Sequence, residues 1–183
     1  MTSKKKPSWK DIKSILVDKD KTELLKLIAD LYAYRSDNKK FIHSRYMPDK
    51  QTLESYKDII TDSLYPDFNY NSSISLSAGR KAISDYYKAT KDKSGQLELM
   101  VHYLETGNSF TVDYGDVDEQ FYASLESMFE KILSALRKEA PRALKKYLPR
   151  LESVVTSSED IGWGYHDYIY DIFYEFVEDI NDT

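Results

Sequence analysis

The sequence predicts an all-α fold. Only 6 glycines and 5 prolines occur in 183 residues, and apolar side chains recur at spacings of three and four, which is the period of an amphipathic helix. Aromatic residues make up 14% of the chain, enough apolar mass to offset the conformational entropy lost on folding. We expect about eight or nine short amphipathic helices, arranged as an irregular helical bundle or as a HEAT-like stack of helical hairpins.

The first two helices are predicted from their starts. Ser8 with Asp11, and Asp20 with Glu23, have the three-residue spacing of a capping box, in which each partner satisfies a free backbone N–H of the other. Apolar residues follow at helical spacing in both segments, namely Trp9, Ile12, Ile15 and Leu16 in the first and Leu24, Leu25, Leu27, Ile28, Leu31 and Tyr32 in the second.

Prolines predict the ends of the next two helices. A third helix ends before Pro48, and a fourth begins at Asp49 and ends before Pro66, because the residue that precedes a proline avoids the helical region. Residues 67–75 are rich in Asn, Asp and Ser and predict a loop.

The middle of the chain predicts two further helices, over about 77–90 and 94–104. Thr106, Gly107 and Asn108 predict the end of the second of these. Residues 109–114 alternate apolar and polar side chains, so they predict either a short strand or an extended loop.

The last part of the chain predicts one long helix and several shorter ones. Acidic residues at 116–119 favour the N-terminus of a helix that continues to Leu136. Pro141 and Pro149 each fit the first turn of a short helix, where the missing N–H of proline costs nothing. The final helix is predicted from about Gly164 to Ile180.

The length of the chain and the distribution of its charge indicate how it is organised. We predict a flexible basic tail over 1–7 followed by a single domain over 8–183. Residues 1–50 hold 13 Lys and Arg against 7 Asp and Glu, whereas residues 151–183 hold 9 Asp and Glu and no Lys or Arg. This gradient favours association in an oriented electrostatic field, although the net charge is only −5.

This sequence lacks the markers of several classes of protein. There is no cysteine, so disulfides, thiol nucleophiles and Cys-based zinc sites are excluded. The N-terminus does not have the apolar segment of a secretory signal, and no apolar run approaches the roughly 20 residues of a membrane helix. We therefore expect a cytoplasmic protein without a membrane contact.

Two patterns suggest a metal site. Glu98, His102 and Glu105 share one helical face, and carboxylates around an imidazole bind divalent metals in helical bundles. His166 and Asp167 form a His-Asp pair of the kind found in helical metal-dependent phosphohydrolases. Both patterns lack the additional ligands of a complete site, so a solvated helix face is the favoured interpretation.

A basic patch in the N-terminal half suggests nucleic-acid binding. It consists of Arg35, Lys39, Lys40 and Arg45, which lie near Phe41 in the sequence, and it mixes phosphate-seeking charge with aromatic groups. An ordinary lysine-rich helix exterior is favoured because the whole chain is acidic and has no nucleic-acid-reading motif. The acidic C-terminal end suggests the converse role, in which its negative charges imitate the phosphate backbone of a nucleic acid.

Tyrosine is the second compositional feature, with 16 residues. In the last predicted helix one face carries an acidic aromatic strip that consists of Asp167, Tyr170, Asp171, Tyr174 and Glu178. Tyrosine combines a large apolar ring with a polar tip and is enriched at interfaces. The strip is therefore our predicted interaction surface for a basic partner, including the N-terminal half of a second copy.

Three segments resemble a bacterial family of small all-helical proteins whose domain has no known function. They are residues 23–32 (ELLKLIADLY) with 38–42 (NKKFI), residues 114–122 (YGDVDEQFY), and residues 162–167 (GWGYHD). The resemblance extends over about residues 8–178. It implies a helical fold and identifies no catalytic residue.

Together these observations predict a non-enzymatic protein-interaction or scaffold module with no cofactor. Its partner is expected to be another protein or a second copy that binds through complementary charge. Two alternatives stay open: a metal-dependent hydrolase-type enzyme that uses the Glu and His residues of a helix face, and a protein that binds or mimics nucleic acid.

Overall fold

The computed structural model describes residues 6–67, 73–138 and 141–182. Regular structure within these ranges is entirely helical, which confirms the predicted all-α class. The described residues form nine helices: α1 (Trp9–Val17), α2 (Lys21–Tyr34), α3 (Ser36–Tyr46), α4 (Lys50–Leu64), α5 (Leu76–Thr90), α6 (Lys93–Tyr114), α7 (Glu119–Leu136), α8 (Pro141–Ser157) and α9 (Tyr165–Asn181). Most of the predicted tail over 1–7, and residues 68–72 of the predicted loop, lie outside the described residues.

The chain divides into two compact units, Met1–Met47 and Pro48–Thr183, which we call the N-terminal unit and the C-terminal unit. The N-terminal unit contains α1 to α3, and the C-terminal unit contains α4 to α9. The single domain predicted over 8–183 stays a prediction.

Local hydrogen bonds shape the N-terminal unit. The Ser8 N–H donates to Asp11 at 2.7 Å, so the predicted start of α1 is confirmed. A hydrogen bond of 2.8 Å between Tyr32 Oη and His43 Nε2, with a second from Asn38 Nδ2 to the backbone carbonyl of Leu31 at 2.6 Å, holds α2 against α3. No apolar side chain among residues 6–47 is buried.

The C-terminal unit is a bundle around α6. This helix contacts α4, α5, α7 and α8, and α9 packs against α7 and α8. Leu99, Val101, Tyr103 and Leu104 of α6 are fully buried, so consecutive positions around the helix face neighbours. A central helix surrounded on several sides is typical of a bundle, whereas hairpins in a stack contact only the next hairpin.

The prediction that a helix ends at 106–108 is wrong, and so is the strand or loop predicted over 109–114. Helix α6 continues to Tyr114. A Cβ at Gly107 would lie 2.5 Å from Leu125 Cδ2 and 3.2 Å from Leu64 Cδ2. Gly107 is therefore a site of close packing inside a helix, where the lack of a side chain lets α4 and α7 approach α6.

The prediction for the two prolines is half confirmed. Pro141 is the first residue of α8, as expected, but Pro149 lies inside this helix and does not begin another one. A proline in a helix interior removes one backbone hydrogen bond. Tyr147 and Leu151, one on each side of Pro149, are both buried, and this packing keeps the helix continuous.

Candidate interaction surface

Helix α9 is anchored by its first residue. Gly164 precedes the helix with a φ of 71°, in the left-handed region that favours glycine. Tyr165 follows and is fully buried, with its ring centroid 5.3 Å from that of Tyr122. Ile169, Phe173 and Phe176 continue the buried face. The opposite face of α9 is left in contact with solvent.

The residues of the acidic aromatic strip lie together on that solvent face. Asp167, Tyr170, Asp171, Tyr174 and Glu178 are all exposed. The ring centroids of Tyr170 and Tyr174 are 4.5 Å apart, so the two tyrosines form one aromatic surface between the carboxylates. This packing is what the four-residue spacing predicts for a helix.

The carboxylates of the strip have no ion-pair partner among residues 6–67, 73–138 and 141–182. Asp179, one position beyond Glu178, does pair at 2.8 Å with Arg137, the residue that follows α7. Residues 151–183 contain no Lys or Arg, so this segment supplies no cation to its own acids. The strip therefore presents uncompensated negative charge beside two exposed tyrosine rings.

His166 of the predicted His-Asp pair contacts a serine and a tyrosine. His166 Nδ1 lies 3.0 Å from Ser158 Oγ, and its ring centroid is 5.9 Å from that of Tyr170. Asp167 is exposed. The contacts of His166 fix the start of α9 against the segment that precedes it.

Glu98 and Glu105 do share one face of α6, as predicted, but their carboxylates form ion pairs with lysine and arginine side chains of neighbouring helices. Arg150 of α8 donates to Glu105 from Nε at 2.7 Å and from Nη2 at 2.6 Å, and its Nη1 lies 3.0 Å from both oxygens of Glu98. Lys146 donates to Glu98 at 2.7 Å, and Lys57 of α4 lies 3.4 Å away. We call these five residues the ion-pair cluster.

The electrostatics of the ion-pair cluster favour the charged forms of Glu98 and Arg150. Burial alone raises the pKa of Glu98, but the hydrogen bonds from Lys146 and Arg150 outweigh it and lower the pKa to about 2. For Arg150, the hydrogen bonds to Glu105 raise the pKa despite burial. Sequence reasoning missed Lys57, Lys146 and Arg150, because spacing within one helix carries no information about the helices packed against it.

His102 lies between the two glutamates on α6 but bonds elsewhere. Its Nε2 is 3.0 Å from Thr61 Oγ1 of α4. Burial, followed by the positive charge of Lys57, lowers the pKa of His102. In the part of the chain that the structure describes, no group of three or more His, Asp or Glu side chains is arranged to hold a metal ion. This arrangement favours an ion-pair cluster over the metal site suggested by Glu98, His102 and Glu105.

The basic patch lies in the N-terminal unit, where its cations rest on aromatic rings. Arg35 lies 5.8 Å from the ring centroid of Tyr34, Lys39 lies 5.6 Å from that of Tyr32, and Arg45 lies 4.9 Å from that of Phe41. Lys40 is half-buried in the same helix as Arg45. The patch combines charge with aromatic surface, and nucleic-acid binding through it stays a prediction that a salt-sensitive gel shift tests.

The N-terminal unit also exposes apolar side chains that its own helices do not cover. Among residues 6–47 Ser44 is buried, and no apolar side chain is. The exposed members on α1 and α2 are Trp9, Ile12, Ile15, Val17, Leu25, Leu27, Ile28 and Leu31. Sequence periodicity predicts these faces correctly as apolar, but it gives no information on whether they are covered. Apolar side chains that remain exposed together within one unit are typical of a binding surface.

None of the helices within 6–67, 73–138 and 141–182 combines the length and the apolarity that crossing a membrane demands.

No protein-family model, curated protein or solved structure matches this chain. The resemblance to a bacterial family of small helical proteins therefore stays a prediction.

Proposed function

We propose that the protein is an interaction module that associates with itself through complementary charge. In this proposal the acidic aromatic strip of one copy binds the N-terminal unit of a second copy. The observation that carries it is the strip itself: three exposed carboxylates without a cation partner among the described residues, beside two tyrosine rings that contact each other at 4.5 Å.

The N-terminal unit has the complementary chemistry. Residues 1–50 hold 13 Lys and Arg against 7 Asp and Glu, and the basic patch places cations over aromatic rings. Aromatic and arginine side chains are the groups enriched at protein interfaces. The exposed apolar faces of α1 and α2 add surface whose burial would stabilise the complex.

The proposed contact is heterologous, because the strip and the N-terminal unit are different surfaces. Each copy would therefore keep one free strip and one free N-terminal unit after the first contact. Assemblies of this kind grow into rings if the rotation closes and into open chains if it does not. The contact uses side chains alone and needs no cofactor. A cytoplasmic location belongs to the proposal, and the cysteine-free sequence supports it.

The test neutralises the strip and compares it with an equal change elsewhere. The strip variant is Asp167→Asn with Asp171→Asn and Glu178→Gln. The control is Glu152→Gln with Glu159→Gln and Asp160→Asn, which removes three exposed acids from outside the strip. In sedimentation velocity, the natural chain and the control should associate at low ionic strength and dissociate as salt screens the contact. The strip variant should remain monomeric.

A mixing experiment tests the heterologous geometry. A second variant, Arg35→Gln with Lys39→Gln, weakens the basic side, and Arg142→Gln with Lys145→Gln, which removes two exposed cations of the C-terminal unit, is its control. The strip variant and the basic variant should each be monomeric alone and should form a 1:1 dimer when mixed, since each keeps the half that the other lacks. A natural chain that stays monomeric at low salt, or a strip variant that associates like its control, would contradict the proposal.

A further inference from the structure

A pocket of about 400 Å³ opens between α5, α6 and α7 in the C-terminal unit. Three lysines line it: Lys93 at the start of α6, Lys131 on α7, and Lys138, which lies two residues beyond the end of α7. Leu97 and Met100 of α6 supply apolar surface to the same pocket. We call this site the lysine pocket.

The described residues that line the lysine pocket carry positive charge only. None of them is acidic, and the three lysines have no ion-pair partner in the described ranges, whereas Lys19 and Lys81 pair with acids one helical turn away. Another cation lies close by, because Lys91 Nζ is 5.3 Å from the ring centroid of Tyr87, which also lines the pocket. Cations gathered around a concave surface reinforce one another's field and raise the local concentration of anions.

The shape and the apolar lining restrict the class of ligand. Pockets that bind small organic molecules have volumes of about 300–1,000 Å³ and combine apolar walls with a few polar groups. Leu97 is almost fully buried and Met100 is half-buried, so packing holds the apolar part of the lining in place. Lysine binds phosphate as a mobile point charge and does not impose the planar geometry of arginine.

We propose that the lysine pocket binds a small phosphorylated organic molecule, with its phosphate among Lys93, Lys131 and Lys138 and its apolar part against Leu97 and Met100. This site is separate from the residues proposed for self-association. It involves neither the acidic aromatic strip nor the N-terminal unit, so the two proposals are tested independently.

The first experiment measures binding by isothermal titration calorimetry with 1-naphthyl phosphate as the probe, and with 1-naphthol and inorganic phosphate as comparison ligands. The pocket variant is Lys131→Gln with Lys138→Gln. The control is Lys50→Gln with Lys145→Gln, which removes two exposed lysines from outside the pocket. All four lysines are exposed, and circular dichroism checks that each variant is folded.

We expect saturable binding of 1-naphthyl phosphate with one site per chain, and weaker binding of both comparison ligands. Loss of two ammonium groups should weaken binding of the probe by about tenfold or more, because each substitution removes one attraction between a cation and the phosphate. The control should keep the affinity of the natural chain. Absence of probe binding, or equal weakening in the pocket variant and the control, would overturn the proposal.

The second experiment locates the bound probe. In protein labelled at its methionine methyl groups, the resonance of Met100, assigned with Met100→Leu, should shift in proportion to saturation by 1-naphthyl phosphate. Inorganic phosphate should leave this resonance nearly unchanged because it has no apolar part. A Met100 signal that stays fixed while the probe saturates the protein would place the ligand elsewhere and overturn the assignment to this pocket.

Discussion

Arg150 of α8 binds Glu105 of α6 through two parallel hydrogen bonds of 2.7 and 2.6 Å, donated by Nε and Nη2. The remaining terminal nitrogen, Nη1, lies 3.0 Å from both oxygens of Glu98, which precedes Glu105 by two turns of α6. One guanidinium therefore bridges two carboxylates and fixes the register of α8 against the central helix. A planar, bidentate contact of this kind depends on arginine geometry as well as on charge.

Replacing Arg150 should destabilise the C-terminal unit. Arg150→Ala leaves the buried Glu98 and the half-buried Glu105 without their shared partner, and we expect a loss of about 2 kcal/mol, between the values for exposed and for buried ion pairs. Arg150→Lys should recover only part of the loss. Urea unfolding measures the change, with Lys145→Ala as a control on the same helix. A midpoint for Arg150→Ala equal to that of the control would contradict the role assigned to the ion pair.

The ion-pair cluster should make the free energy of unfolding fall at acidic pH. The pKa of Glu98 is lowered in the folded protein to about 2, so its contribution is fully present above the pKa of about 4.5 expected in the unfolded chain and is lost as the pH falls toward 2. We expect this contribution to be about 1–2 kcal/mol, reduced by partial solvent screening. Urea unfolding at several pH values should show the loss in the natural chain and a smaller one in Glu98→Gln. Parallel acid profiles for the two proteins would contradict this.

A buried hydroxyl offers a stabilising substitution. Tyr165 Oη is buried and has no hydrogen-bond partner among the described residues, whereas Tyr103 Oη, also buried, forms a 2.8 Å hydrogen bond with Ser124. An unsatisfied buried polar group costs about 1–3 kcal/mol. Tyr165→Phe should therefore raise the free energy of unfolding by about 1 kcal/mol, and the matched Tyr103→Phe should lower it by a similar amount. Thermal and urea unfolding measure both. Destabilisation by Tyr165→Phe would show that its hydroxyl has a partner.

The sequence predicts the local features of this protein well. Capping pairs such as Asp20 with Glu23 mark helix starts because they act over three residues, and the structure has both hydrogen bonds of this pair. The shared faces of α6 and α9 are likewise predicted, because the helical period fixes which residues are neighbours on one helix. These predictions need no knowledge of tertiary packing.

The contacts between helices are not predictable in the same way. Arg150 lies 45 positions from Glu105 and 52 from Glu98 in the sequence, and no spacing rule joins residues so far apart. The lysine pocket has the same origin, since Lys93 and Lys131 come together only when α6 packs against α7. At Gly107 the local rule itself gives a wrong prediction. Glycine often marks the end of a helix, but at this position of α6 close packing requires a residue without a side chain.

Gly107 provides the last prediction, which separates helix propensity from packing. Alanine in a helix interior is favoured over glycine by about 1 kcal/mol, so a glycine that merely interrupted α6 would be improved by Gly107→Ala. In the structure, however, the added Cβ would lie 2.5 Å from Leu125 Cδ2 and 3.2 Å from Leu64 Cδ2, and both leucines are fully buried. Overpacking of a filled core costs about 1–3 kcal/mol.

We therefore expect Gly107→Ala to lower the free energy of unfolding by about 1 kcal/mol in urea unfolding, because the packing cost exceeds the gain in propensity. Ser109→Ala is the matched control, since Ser109 lies two residues later on the same helix and is exposed. It should be neutral or slightly stabilising. A Gly107→Ala variant more stable than Ser109→Ala would mean that α4 and α7 do not approach α6 closely at this position.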